Sequence, residues 1–235
     1  MVRTANRGGL GFGAQHSQAV ENWALAIPGL KIAAPSTPAD VIGLMAAAIR
    51  SDDPVVFFEH KGLFASKGPA APEGHVVELG RAAVVREGSD VSLVALATVP
   101  LALAAAGRLA EGGISAEVVD LRCLVPLDMA AVLESVRRTS RLVIVEENPY
   151  QGGWGGTVAS VVADEGFELL DAPVRRVAAA CVPRPEGLGT RFRHSGQVED
   201  RDVYRRIPAL PVKDTPDELT GLTTKPLLRL WPAAG

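Results

Sequence analysis

The chain has few of the residues that build metal sites or disulfide frameworks. Its 235 residues include two cysteines, Cys123 and Cys181, and four histidines. The cysteines are far apart in the sequence and lack the short spacing of zinc ligands, so neither a disulfide framework nor a structural zinc site is indicated. Such sparse use of cysteine fits a reducing compartment, and we expect a cytoplasmic protein.

The sequence also lacks a strong excess of one charge and any long apolar run. Lysine and arginine number 24 against 27 aspartates and glutamates, which gives a net charge of −3. This balance gives no electrostatic reason to expect nucleic acid or an anionic membrane as a partner. No apolar stretch approaches the roughly 20 residues that cross a bilayer, and the N-terminus lacks the residue order of a signal peptide.

Short strand patterns alternate with helical patterns along most of the chain. Hydrophobic residues make up 47% of the sequence, enough to bury the core of one large domain or two small ones. Strands that alternate with helices of about 10 to 15 residues are typical of parallel sheets with right-handed crossovers. The sequence therefore predicts an α/β fold.

Three stretches with different patterns predict the domain organisation. A Gly/Pro/Lys-rich stretch between His60 and Gly74 has no periodicity and predicts a linker, with a boundary near Ala70. We therefore expect a first domain over residues 1–70 and an α/β domain over 71–182. Residues 183–235 are rich in charge and proline and predict a partly irregular tail.

Local patterns predict individual elements with different clarity. The best-marked helix begins with Thr37 as N-cap, Pro38 at the first helical position and Asp40 in the first turn. Another helix is expected over residues 17–27, where apolar residues recur at helical spacing before Pro28-Gly29. Strands are predicted at 82–86 and 91–97, joined by a tight turn over 87–90.

A glycine-rich run near the N-terminus satisfies the spacing of a dinucleotide-binding loop. Gly9, Gly11 and Ala14 match G-x-G-x-x-A ahead of a helical pattern. The first glycine lies several residues beyond the predicted strand, however, and the next strand does not end in an acidic residue that could hold a ribose. A flexible, closely packed loop uses glycines equally well.

Two further positions could carry chemistry. His16 follows the glycine run, and a histidine at the mouth of an α/β sheet can move a proton or donate to a developing oxyanion near neutral pH. A lone histidine is also common in packing and helix-end roles. Glu146, Glu147 and Asn148 follow a predicted strand at the sheet edge where ligands bind, although helix-capping or interface roles fit them as well. A G-x-S-x-G motif is absent, which argues against a serine hydrolase.

Ten segments, taken in order, resemble the β subunits of pyruvate, branched-chain 2-oxo acid and acetoin dehydrogenase complexes. Agreement of this length and order is more specific than any single motif above. The resemblance covers roughly Met1 to Val182. The matching segments are residues 13–18, 27–31, 34–40, 48–50, 53–56, 118–122, 126–128, 134–136, 152–155 and 170–177.

The resemblance implies a transketolase-like fold, with the second half of a pyrimidine-binding domain followed by a C-terminal parallel-sheet α/β domain. It also implies thiamine diphosphate as cofactor, with the diphosphate and Mg²⁺ held by an α subunit in an α2β2 heterotetramer. His16 matches the active-site histidine of the family. Four positions fall where several members bind a monovalent cation such as K⁺, largely through backbone carbonyls: Ala48, Ile49, Ser51 and Asp53.

The implied reaction is oxidative decarboxylation of a 2-oxo acid, with transfer of the acyl group to lipoyl-lysine on an acyltransferase core. Acetoin cleavage is the alternative within the family, and a non-catalytic assembly module is the alternative outside it. Family members place a glutamate against the aminopyrimidine ring of the cofactor, in a region upstream of the segment that matches Met1. We therefore expect a chain that is inactive alone and completed by another polypeptide.

Overall fold

Two β-sheets organise the part of the chain that the computed structural model describes, residues 1–6 and 16–181. The glycine run over residues 8–14 and the predicted tail over 183–235 lie outside the described residues. Among the described residues, no helix has the length and apolar character that crossing a bilayer requires.

Strands and helices alternate along the described chain, which confirms the α/β class. In chain order the elements are β1 (Val2–Asn6), α1 (Glu21–Leu25), β2 (Lys31–Ala33), α2 (Pro38–Arg50), β3 (Val55–His60), β4 (Ala83–Arg86), β5 (Val91–Ala95), α3 (Val99–Glu111), β6 (Ala116–Asp120), β7 (Cys123–Val125), α4 (Met129–Thr139), β8 (Leu142–Pro149), α5 (Gly155–Glu165) and β9 (Arg175–Ala179). A short 3-10 turn over Lys61–Leu63 follows β3, and another over Phe167–Leu169 follows α5.

The first sheet has the order β1-β3-β2-β7, and its first three strands are parallel. Helix α2 connects β2 to β3 and begins where the sequence predicts. The Thr37 hydroxyl oxygen accepts a hydrogen bond from the Asp40 N–H at 3.1 Å, so Thr37 is the N-cap. Leu44 and Ala48 lie on the buried face of this helix, whereas Ile49 is exposed.

The helix predicted over residues 17–27 is wrong in extent, because only Glu21–Leu25 is helical. Trp23 and Ile27, two residues of its predicted apolar face, are exposed. The preceding residues do not continue the helix because their backbone is bound by other side chains. The Val20 N–H, for example, donates to the Asn6 side chain rather than to a carbonyl of its own segment.

The second sheet has the order β4-β6-β5-β8-β9, with β4 antiparallel to β6 and the other neighbours parallel. Strands β4 and β5 form where predicted but do not pair, since β6 lies between them. The 87–90 connection packs against the start of β6. The N–H groups of Ser89 and Asp90 both donate to the Ser115 carbonyl, and a Cβ on Gly88 would meet the Ala116 backbone at 2.2 Å.

A strand that the sequence did not predict joins the two sheets. Strand β7 lies beyond the predicted boundary near Ala70, yet it pairs antiparallel with β2 through Ile32–Val125 and Ala33–Cys123. Residues 64–82 between the sheets contain no helix or strand. The largest apolar cluster also contains residues from both sheets, including Ile32, Phe58, Val94, Val119 and Ile144. The two sheets therefore share a core, and the first sheet takes its fourth strand from the part of the chain beyond the predicted boundary.

Candidate active site

Three strand ends converge on residues 16–22, which we call the His16 segment. Asn6 is the last residue of β1, Lys61 directly follows β3, and Asn148 lies near the end of β8. Because these strands end at the carboxyl edges of their sheets, the segment lies where open α/β sheets bind ligands. Polar side chains from all three strand ends hold its backbone.

Asn6 binds the middle of the His16 segment. Its Oδ1 accepts from the Val20 N–H at 3.1 Å, and its Nδ2 donates to Glu21 Oε2 at 2.5 Å. Both Asn6 and Glu21 are buried. The carboxylate at the start of α1 therefore points into the protein and fixes the helix against the end of β1.

Asn148 binds the same segment from the second sheet. Its Nδ2 donates to the Ala19 carbonyl and to Asn22 Oδ1, both at 3.1 Å, and Asn22 Nδ2 donates onward to the Gly152 carbonyl at 3.0 Å. Asn148 is completely buried. The loop after β8 and the start of α1 are thereby held together.

His16 has a fixed backbone and an open side chain. Lys61 Nζ donates to the His16 carbonyl oxygen, and the side chain of His16 is exposed. A cavity of about 380 Å³ lies at the ends of β2 and β3, lined in part by Ser36, Thr37 and Phe64, but His16 is not among its lining residues. The imidazole is thus accessible to a molecule in solution.

A buried pair links β3 directly to β8. His60 Nε2 lies 3.1 Å from Glu147 Oε2, and His60 Nδ1 accepts from the Gly62 N–H at 3.1 Å. Since Nδ1 is an acceptor, Nε2 carries the proton and donates to the carboxylate. This pair could not be predicted from the sequence, because His60 and Glu147 are 87 residues apart and both residue types are common on protein surfaces.

Glu146 caps a helix rather than facing a ligand. Its Oε2 accepts from the Gly155 N–H at 2.9 Å at the start of α5, and its Oε1 accepts from Arg176 Nε at 2.8 Å. Burial raises the pKa of Glu146, while these hydrogen bonds act in the opposite direction. Glu146 therefore caps a helix, and Glu147 binds His60 where β3 and β8 of the two sheets meet.

The residues predicted to hold a monovalent cation lie at the end of α2. Lys31 Nζ donates to Ser51 Oγ at 3.1 Å and pairs with Asp53 Oδ2 at 3.0 Å. Ala48 is buried and the Ile49 side chain is exposed. Because the Lys31 ammonium group occupies the space beside Ser51 Oγ and Asp53 Oδ2, a cation here would rely on backbone carbonyls. In residues 1–6 and 16–181, no group of three or more His, Cys, Asp or Glu side chains could hold a metal ion.

Two domain families match the chain. Residues 2–67 match the family described as the transketolase pyrimidine-binding domain, and residues 80–192 match the transketolase C-terminal domain. The first match contains the His16 segment and the whole of β1 to β3. The second contains the strand ends that supply Asn148 and Glu147.

Curated relatives carry β-subunit names. The chain is 44% identical to pyruvate dehydrogenase E1 component subunit beta-1 of Arabidopsis thaliana, over 85% of this chain and 56% of that protein. It is 44% identical to the acetoin:2,6-dichlorophenolindophenol oxidoreductase subunit beta of Bacillus subtilis, over 78% and 54%. For the 2-oxoisovalerate dehydrogenase subunit beta of the same organism the identity is 41%, over 78% and 57%. The chain thus spans little more than half the length of these relatives.

Solved structures share the fold. A structure described as a split gene transketolase, inactive beta4 tetramer, superposes with a TM-score of 0.72 and 27% identity, over 88% of this chain and 64% of that one. A transketolase from Campylobacter jejuni gives a TM-score of 0.61 at 17% identity, over 88% and 31%. The second comparison supports the architecture alone.

Proposed function

Because the chain belongs to the family of proteins built from a transketolase pyrimidine-binding domain and a transketolase C-terminal domain, we propose that it is a β-subunit chain of a 2-oxo acid dehydrogenase. The proposed reaction is the thiamine-diphosphate-dependent oxidative decarboxylation of a 2-oxo acid, with acyl transfer to a lipoyl-lysine. Its support is the set of relatives named as pyruvate and 2-oxoisovalerate dehydrogenase β subunits.

The observation that carries the proposal is the exposed imidazole of His16 on a backbone held by strand ends of both sheets. A histidine titrates near neutral pH, so it can donate a hydrogen bond to a developing oxyanion or transfer a proton to it. When bound, thiamine diphosphate supplies the carbanion nucleophile and the electron sink. His16 would orient and protonate the reacting oxygen, and its fixed backbone limits the entropy lost in doing so.

The proposed active site is completed by other polypeptides. The chain spans 56% of the length of its Arabidopsis relative, and His16 lies open to solvent. An α subunit in an α2β2 assembly would hold the diphosphate and Mg²⁺, and a lipoyl-bearing acyltransferase would accept the acyl group. K⁺ would bind at residues 48–53 through backbone carbonyls.

A reconstitution tests this proposal. The purified chain is mixed with thiamine diphosphate, Mg²⁺, pyruvate and dichlorophenolindophenol as electron acceptor, with and without an α subunit. Carbon dioxide release should require both polypeptides, and His16→Ala should lower kcat by about 100-fold or more. His75→Ala changes a histidine outside the His16 segment and serves as the control. Its kcat should lie within about twofold of that of wild type, because the substitution is outside the proposed site. Full activity of His16→Ala would refute the role of His16.

A second candidate, acetoin cleavage, is favoured by relatives of similar identity. The chain is 44% identical to the Bacillus subtilis acetoin enzyme subunit and 42% identical to that of Cupriavidus necator. Acetoin and pyruvate offered to the same reconstituted enzyme, with dichlorophenolindophenol as electron acceptor, would distinguish the two by kcat/KM. Assembly with the α subunit without turnover of either substrate would instead support the non-catalytic alternative.

A further inference from the structure

We propose that Asn148 is a positioning residue for His16, through which the C-terminal domain fixes the backbone of the proposed active-site histidine. The inference rests on the proposed function, since it gives Asn148 a part in catalysis only if His16 has one. It starts from a buried amide, Asn148, whose Nδ2 donates to the Ala19 carbonyl three residues after His16.

The His16 segment is held from two sheets, and Asn148 is one of its links to the second. Asn6 ends β1 and Lys61 follows β3 of the first sheet, and they bind Val20 and the His16 carbonyl. Asn148 reaches the segment from the end of β8. Removing its amide would remove the hydrogen bond that joins β8 to the Ala19 carbonyl, so the backbone around Ala19 should move more relative to the second sheet.

Asn148 acts as a hydrogen-bond donor through Nδ2. Both of its recorded hydrogen bonds come from Nδ2, while Oδ1 is buried without a hydrogen-bond partner among the described residues. Ala19 is buried too, so its carbonyl cannot turn to solvent if the donor is removed. A buried carbonyl without a donor is unfavourable, and the backbone at Ala19 would move to find one.

Hydrogen exchange on the purified chain tests the structural half of the inference. Asn148→Leu keeps the number and branching of the side-chain heavy atoms, although its methyl groups are larger, and removes both N–H donors. Amides of residues 17–22 should exchange about five- to tenfold faster than in wild type, as expected for one lost hydrogen bond. Amides of α3 and α4 should be unchanged. Asn22→Ala is the matched control, because it removes the other acceptor of Asn148 and the bond to Gly152 but leaves the Ala19 carbonyl bonded.

Asn148→Ser is measured in parallel, so that a folding defect of the leucine variant does not decide the result. Unchanged exchange over residues 17–22 in a folded Asn148 variant would overturn the inference. Equal acceleration in Asn22→Ala would also overturn it, because the bond to Ala19 would then not be the one that matters.

Kinetics of the reconstituted enzyme test the catalytic half. Asn148→Leu should lower kcat by about 10- to 100-fold, as for a small misplacement of a catalytic group, with KM for the 2-oxo acid within about twofold. In a His16→Ala background the same change should have no further effect on kcat, since the group it positions is gone. A further loss in that background would show a role independent of His16 and overturn the inference.

The two proposals fail in different ways. If His16→Ala retains full activity, the proposed role of His16 fails, whereas the exchange result for Asn148 stands by itself. If His16→Ala lowers kcat and Asn148→Leu lowers the residual kcat further, the role of His16 survives and the positioning inference is wrong.

Discussion

Asp120 is a carboxylate buried at the junction of the two sheets. The Ser36 hydroxyl donates to its Oδ2, and the Arg122 N–H donates to its Oδ1 at 2.9 Å. Burial raises the pKa of Asp120 from 3.8 to about 6, although both hydrogen bonds lower it. The neighbouring Asp40 raises this pKa as well, and Arg122 offsets part of that effect while pairing with Asp40 at 2.7 Å.

Replacing Asp120 with asparagine should make the stability of the chain less sensitive to pH. The folded pKa lies above the unfolded value of 3.8, so the contribution of Asp120 is fully present below pH 3.8 and is lost as the pH rises through about 6. Relative to wild type, Asp120→Asn should gain about 3 kcal/mol in free energy of unfolding between about pH 4 and pH 7.

Urea denaturation across that pH range measures the difference between the two proteins. Asp52→Asn, at an exposed position, is the control and should follow wild type throughout. A stability difference between Asp120→Asn and wild type that stays constant with pH would contradict the assigned burial of charge.

Gly155 and Gly156 are adjacent glycines at the start of α5 with opposite surroundings. A Cβ on Gly155 would lie 2.5 Å from Glu146 Oε1 and 2.9 Å from Ile144, whereas a Cβ on Gly156 would find its nearest neighbour, Arg176 Nη1, at 3.6 Å. Gly155→Ala should therefore lower the free energy of unfolding by about 1–3 kcal/mol through overpacking. Gly156→Ala should raise it by about 0.5–1 kcal/mol, because alanine is the better helix former.

Urea denaturation of the two alanine variants checks this pair at one pH. Each variant is the control for the other, since both make the same change at neighbouring positions of one helix. A Gly155→Ala as stable as wild type would show that Glu146 does not occupy the space beside Gly155, and a destabilised Gly156→Ala would show that the space beside Gly156 is not open.

The N-cap residue of α2, Thr37, binds Asp40, which in turn pairs with Arg122 at the junction between the sheets. Thr37 Oγ1 accepts from the Asp40 N–H and donates to Asp40 Oδ2 at 2.7 Å, while Asp40 Oδ1 pairs with Arg122. Thr37→Ala should cost about 1 kcal/mol in free energy of unfolding, as for other N-caps. Thr37→Ser keeps the hydroxyl and should lie near wild type. Calorimetry measures both, and equal loss in the two variants would point to the methyl group rather than to the cap.

Elements whose signals are local could be predicted from the sequence, and elements fixed by distant partners could not. The start of α2 could be predicted because an N-cap acts within about four residues, and Thr37 caps the helix as expected. The predicted helix over residues 17–27 is too long because Asn6 and Asn148 bind its first part. Strand β7 was missed because three residues carry too little pattern without their partner β2.

The same contrast holds at the candidate site. The place of His16 after the glycine run makes it one candidate with a packing alternative, and the ordered resemblance to known β subunits is what favours an active-site role. Asn148 was noticed only as part of an acidic strand end, and its contact with Ala19 spans 129 residues. The His60–Glu147 pair spans 87 residues. Periodicity and spacing contain no information about pairs so far apart, because the fold alone brings them together.

The two sheets should unfold as one unit, even though the sequence places a linker between them. Their shared cluster joins Ile32 and Phe58 of the first sheet to Val94, Val119 and Ile144 of the second. Separating the chain before the linker from the chain after it would expose these side chains and leave β2 without its antiparallel neighbour β7. Burial of this extent makes the apolar contacts the main source of cohesion between the sheets.

A cut in the linker tests this cohesion. With a protease site inserted at Ala70, in an exposed stretch, the cleaved pieces should stay together in gel filtration and unfold in a single urea transition. The uncut protein with the same insertion is the control and should unfold in one transition at a higher urea concentration, because the intact chain removes the cost of bringing two pieces together. If the cleaved pieces separated and each unfolded cooperatively by itself, β7 and the shared cluster would not be what holds the sheets together.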